Sequence, residues 1–257
     1  MRKKSILITG AGSGIGLETA LLFAKRGWLI GAADISPANL DRLVAEAPAG
    51  SIVPIVADVT DRTSANRMAH TFLSATGGTL DVAFLCAGVL RMGTYGEIAP
   101  EDHDLIVRVN IDGLLNTLTA CLPALKRTPG AHVVSMSSAS AEYGVPELAV
   151  YAASKAFVRS LTESLSIELA EHDVTVSAIT VSYVATPMVN EAKVRSRSLE
   201  KLGVKITPDR VAETVWRAAH GKKLTWRIGF DAKLLNLVVR LLGDRFSWMA
   251  RRLSGYN

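Results

Sequence analysis

Residues 9–16 read TGAGSGIG, with glycine at 10, 12, 14 and 16. The apolar run Ser5–Thr9 comes just before them. Residues 15–26 follow with apolar side chains at helical spacing. A strand that runs through glycines into a helix is the opening of a dinucleotide-binding βαβ unit. Glycines let backbone N–H groups approach a pyrophosphate, and the positive end of the helix dipole favours its charge. Gly10, Ser13, Gly14, Ile15 and Gly16 are therefore candidate cofactor contacts. A glycine-rich turn without a ligand is the other reading.

Outward from this loop, strand and helix signals alternate. Residues 28–33, 51–56, 82–86, His132–Met136, 175–179 and 227–230 read as further strands. Helices are predicted from Ser36-Pro37, from a Thr60 cap to about Thr76, over 101–127, over 150–171 and from Pro208. Apolar strands alternating with helices imply one α/β domain, a doubly wound parallel sheet of seven strands with helices on both faces. Ligands then bind at the carboxyl ends of the strands.

Asp34 ends the second strand, 18 residues after Gly16. A carboxylate there can accept both adenosine ribose hydroxyls and would repel the extra phosphate of NADP. No Lys or Arg occurs between Gly27 and Asp41, so NAD is the favoured cofactor. Asp58 and Val59 end the third strand, where they meet an adenine edge or form an ordinary solvated loop.

Residues 151–155 read YAASK. On a helix, residues four apart share a face, so Lys155 sits beside Tyr151. A unit charge at about 4 Å is worth on the order of 4 kcal/mol at an effective dielectric of about 20. That would bring the phenol's pKa from about 10 to about 7 and make Tyr151 an acid/base for an alcohol proton. Y-x-x-x-K is also common by chance on amphipathic helices. Ser137 and Ser138 emerge at the end of the fifth strand, where a hydroxyl can hold a substrate oxygen; a plain polar turn is the alternative.

Charge and cysteine content narrow the classes further. The net charge of +5 over 257 residues is uneven. Residues 216–257 hold nine Lys/Arg against two Asp, so the rest is close to −2. The basicity belongs to the tail, with no basic groove of the kind nucleic acid requires. Cys86 and Cys121 form no C-x-x-C, which suits a reducing cytoplasm and argues against a structural zinc or disulfide framework. The basic start runs into glycines too soon for a signal-peptide core. No stretch of about 18 uncharged apolar residues predicts a spanning helix.

The chain resembles the short-chain dehydrogenase/reductases along nearly its whole length. The agreeing features are TGAGSGIG, Asp58-Val59, CAGV at 86–89, Asn110, Ser138 and YAASK. The resemblance implies a Rossmann-like oxidoreductase, with Asn110, Ser138, Tyr151 and Lys155 as catalytic tetrad. It places Cys86, Ala87, Gly88, Val184 and Thr186 on the cofactor, with Lys155 and Tyr151 beside the nicotinamide ribose. It implies a small alcohol or ketone substrate and a homodimer or homotetramer. Two positions depart from the family's pattern. Leu85-Cys86 stands where Asn-Asn is common, and Val181-Ser182 where Pro-Gly is common.

Residues 1–230 form the expected catalytic domain, with a lid over the substrate at 188–205. Leu90, Met92, Val145, Pro146 and Leu148 are candidate apolar walls, pointing to a hydrophobic substrate. Residues 231–257 read as a basic amphipathic helix that packs on the body, on a partner subunit or on a membrane surface. A non-catalytic NAD-binding regulator and a membrane-surface module are the rival readings; the intact Tyr151–Lys155 pair argues against the first.

Overall fold

A computed structural model of the chain describes residues 2–229 and Leu241. The expected C-terminal helix at 231–257, and the membrane contact read from it, lie outside the described residues apart from Leu241.

Seven strands form one parallel sheet: β1 Ser5–Thr9, β2 Leu29–Asp34, β3 Ile52–Val56, β4 Val82–Leu85, β5 His132–Met136, β6 Thr175–Thr180 and β7 Thr225–Arg227. Their order is β3-β2-β1-β4-β5-β6-β7. Helices α1 Gly14–Lys25, α2 Pro37–Glu46, α3 Arg62–Ala75, α4 Pro100–Val107, α5 Gly113–Arg127, α6 Ala149–Glu168, α7 Pro187–Asn190, α8 Arg197–Leu202 and α9 Pro208–Ala218 complete the domain. Successive side chains of a strand point to opposite faces. Ile6 and Ile8 accordingly join Phe23, Phe84 and Val215 on one face of the sheet, while Leu7 joins Phe72, Leu118 and Val133 on the other. The chain's winding direction reverses between β1 and β4. The crevice beyond their carboxyl ends is where a doubly wound sheet binds its ligand.

Three local expectations need correction. Asp61, not Thr60, caps α3: its carboxylate accepts from the N–H groups of Thr63 and Ser64, while Thr60 bonds back to Asp58. The helix predicted over 101–127 is α4 and α5 joined by a π-helical turn at Arg108–Asp112. Its 28 residues, Pro100–Arg127, are apolar enough by length and composition to cross a membrane. Here Ile106, Leu114, Leu118, Cys121 and Leu125 are buried in the fold. The last strand lies earlier than 227–230, because Gly229 takes φ +90°, which an extended strand cannot continue.

Pro54 sits inside β3 without harm. β3 is an edge strand, where a missing N–H is tolerated.

Candidate active site

One cleft of about 440 Å³ runs along the carboxyl ends of the strands, from Asp34 to the lid helices. All the cofactor candidates line it: Gly10, Ser13, Gly14, Ile15, Gly16, Asp34, Asp58, Val59, Cys86, Ala87, Gly88, Tyr151, Lys155, Val184 and Thr186.

At the glycine loop, a Cβ on Gly16 would collide with the Gly10 carbonyl, so only glycine lets α1 start this close to β1. Ser13 makes no side-chain cap, and the first turn of α1 carries no acidic residue. An anion placed there meets the helix N–H groups without competition, which fits a pyrophosphate.

Both Asp34 oxygens are held, Oδ2 by the Gly12 N–H at 2.8 Å and Oδ1 by the Ser36 N–H at 3.0 Å. The Arg42 guanidinium donates to the Gly12 carbonyl at 3.0 Å, which brings a cation to the same loop. Asp58 Oδ1 accepts from the Thr60 N–H and hydroxyl, both at 2.8 Å. Thr9 Oγ1 accepts from the N–H groups of Cys86 and Ala87, tying the end of β1 to the turn after β4. Cysteine at 86 keeps that turn because the backbone makes the bonds. Burial pushes its thiol up to about 12, so it stays neutral.

The chemical centre is assembled from three elements. Asn110 stands in the π turn. It accepts from the Val89 N–H at 2.8 Å and donates to the Val89 carbonyl and to Ser154 Oγ. Ser154 in turn donates to the Tyr151 carbonyl at 2.7 Å. Lys155 Nζ donates to the Met136 carbonyl at 3.0 Å and lies 5.6 Å from the Tyr151 ring centre. Ser138 follows β5 and hydrogen-bonds the Tyr151 phenol. Its own oxygen accepts from the N–H and hydroxyl of Ser140.

The expected acidification of the phenol does not occur in the chain alone. Burial pushes Tyr151 up to about 12, against a smaller lowering by the Ser138 bond. The same burial pulls Lys155 down to about 8. Desolvation disfavours both charged forms and is the largest cause of each shift.

Beyond the tyrosine the cleft is walled by Leu90, Val145, Leu148, Met188, Val189 and Leu202, with Tyr143, Tyr183 and Ser198 among them. Met92 is buried behind that wall, and Pro146 is not part of the lining. Sequence reasoning missed Ser140, Ser154, Tyr143, Tyr183 and Ser198. Ser154 was legible in principle, since it lies inside YAASK on the turn facing Asn110. Ser140 bonds its near neighbour Ser138 within the same turn, and Tyr143, Tyr183 and Ser198 reach the cleft only through tertiary folding.

This geometry has close counterparts. The family profile described as short chain dehydrogenase matches residues 4–196. The 3-oxoacyl-[acyl-carrier-protein] reductase of Thermotoga maritima is 36% identical over 218 residues, covering 82% of this chain and 88% of that protein. The 2-keto-3-deoxy-L-fuconate dehydrogenase of Xanthomonas campestris is 31% identical over 249 residues, 96% of this chain and 77% of that one. A short chain dehydrogenase/reductase from Burkholderia phymatum in complex with NAD superposes with a TM-score of 0.83 at 25% identity, covering 96% and 95% of the two chains. The 3-ketoacyl-(acyl-carrier-protein) reductase of Brucella melitensis complexed with NADH gives 0.79 at 27% identity, covering 88% and 96%. The chain belongs to the short-chain dehydrogenase/reductase family. It is an oxidoreductase of the CH–OH/carbonyl class.

Proposed function

We propose that this enzyme interconverts an uncharged, largely apolar alcohol and its ketone, using NAD(H). One observation carries the substrate reading. Among the described residues lining the cleft, the ionised side chains are Asp34, Asp58 and Lys155, all at the cofactor end. The substrate end offers apolar walls and hydroxyls only, and a charged substrate group there would lose its hydration without a partner.

The roles follow from the contacts. Ser138, its oxygen fixed by Ser140, donates its hydroxyl hydrogen toward the substrate oxygen. Tyr151 Oη holds the proton that an alcohol gains or gives up. Lys155 holds the nicotinamide ribose and supplies positive charge beside the phenol. Asn110 fixes the Val89 turn and, through Ser154, the start of α6. When bound, NAD supplies the hydride acceptor and a positively charged ring. That charge opposes the burial that keeps the phenol protonated.

Asp34 supports NAD over NADP, since a carboxylate facing the adenosine ribose repels a phosphate there. The test is kcat/KM for each cofactor with a panel of apolar and sugar alcohols, followed by NADH or NADPH absorbance. The expected result is a preference for NAD and for apolar alcohols, with the NAD preference narrowed in Asp34→Ala. Equal values for the two cofactors in the wild type would assign the phosphate to Arg42 and refute the NAD reading. Preference for charged or sugar alcohols would refute the substrate reading.

A further inference from the structure

We infer that Tyr183 and Ser198 form a second polar subsite in the substrate cavity, one that takes a hydroxyl carried by the substrate away from its reacting carbon. The inference rests on the proposed alcohol/ketone chemistry.

Three hydroxyls meet at the lid. Tyr183, in the loop after β6, lies 3.0 Å from Ser196 Oγ and 2.7 Å from Ser198 Oγ, and the two serines are 3.1 Å apart. Each hydroxyl has one hydrogen to donate and lone pairs to accept with. In the closed ring each gives one bond and takes one. Ser196 is spent: it is 1% exposed, and its oxygen also accepts from the Leu199 N–H. Tyr183 and Ser198 each keep acceptor capacity, and both line the cleft while Ser196 does not. The position is therefore a pair of acceptors set in apolar walls.

What such a pair takes is an uncharged hydrogen-bond donor. A cation would find no carboxylate among the described lining residues at this end. A hydroxyl suits best, because it donates its one hydrogen to the free lone pair of either ring oxygen and leaves the ring's own bonds intact. The rest of the lid is already anchored, which leaves this ring available to a ligand. The Arg197 N–H donates to Glu147 Oε2 at 2.6 Å, and its guanidinium pairs with Oε1 at 3.2 Å. The Ser196 N–H points to Met92 Sδ at 3.4 Å. The reacting end is Tyr151 with Ser138, so the substrate would be an apolar body with oxygen at two places.

The test measures binding to the full-length enzyme loaded with NADH, read by NADH fluorescence. The probes are octan-2-ol and the octanediols that keep that hydroxyl and add a second at each later carbon. At least one diol should bind about fivefold more tightly than octan-2-ol, the worth of one net hydrogen bond. Tyr183→Phe and Ser198→Ala should each erase that advantage, bringing the favoured diol to the affinity of octan-2-ol. No favoured diol, or a preference that survives both substitutions, overturns the subsite. Equal weakening of octan-2-ol and the diols in Tyr183→Phe also overturns it, by showing a lid tie and nothing more. The hydride-transfer reading is judged separately, on turnover in Tyr151→Phe, so it stands if the diol preference fails.

Discussion

Lys155 keeps an ammonium in a place that disfavours it. Burial pulls its pKa from 10.5 to about 8, although Nζ donates to the Met136 carbonyl. Below about 8 the folded protein carries the buried charge; between about 8 and 10.5 the unfolded chain binds the extra proton, so stability rises with pH across that window. A fall of that size corresponds to about 3 kcal/mol, less about 1 kcal/mol for the lysine's hydrogen bond. Lys155→Met should therefore stabilise the cofactor-free protein by about 2 kcal/mol at neutral pH while abolishing turnover. Urea unfolding at neutral pH and above pH 10.5 checks it, and the gain should vanish at the higher pH. Cys86 behaves oppositely: neutral and half-buried, it should leave the pH profile of activity unchanged on Cys86→Ala.

At the scale of elements, the π turn at Arg108–Asp112 matters most, because it carries Asn110, whose buried side chain ties the Val89 turn to Ser154 behind the cleft. Asn110→Ala removes three side-chain bonds, to the Val89 N–H, the Val89 carbonyl and Ser154. It should cost about 3 kcal/mol and slow turnover, as read by urea denaturation and initial rates. Asp61→Ala should cost about 1 kcal/mol as the loss of a cap, and Thr60→Ala clearly less. These two elements also show where sequence reading stopped. Apolar spacing continues unbroken through 101–127, so nothing in it marks the extra backbone residue of the π turn. Thr60 and Asp61 are both good caps, and only the orientation of the first turn decides between them. The strands from Ser5 to Thr180 were legible because buried parallel strands are short apolar runs bounded by turns. β7 was not, because the sheet edge needs only Thr225–Arg227 and Gly229 stops it.

For the whole molecule, the strand order and the two cores set the cleft, and the motifs fill it. The candidate site residues were legible in part from position, because TGAGSGIG and Ser138 sit at the carboxyl ends of strands and YAASK at the start of a helix; Asn110 came from the family resemblance alone. The ring of Tyr183, Ser196 and Ser198 was not, since Tyr183 lies 13 and 15 residues before the two serines and no local pattern pairs it with them. The direction of the Tyr151 shift was also illegible, because burial of the phenol is a property of the complete fold. The central claim is that Tyr151 moves the proton. The most direct measurement is turnover of the best alcohol in the panel by Tyr151→Phe, followed by NADH absorbance, beside its affinity for NADH. The account predicts a loss of at least about a hundredfold in turnover, the worth of a positioned acid/base, with NADH affinity kept within about twofold. Turnover above about a tenth of the wild-type rate would contradict it, because a positioned acid/base contributes far more than that.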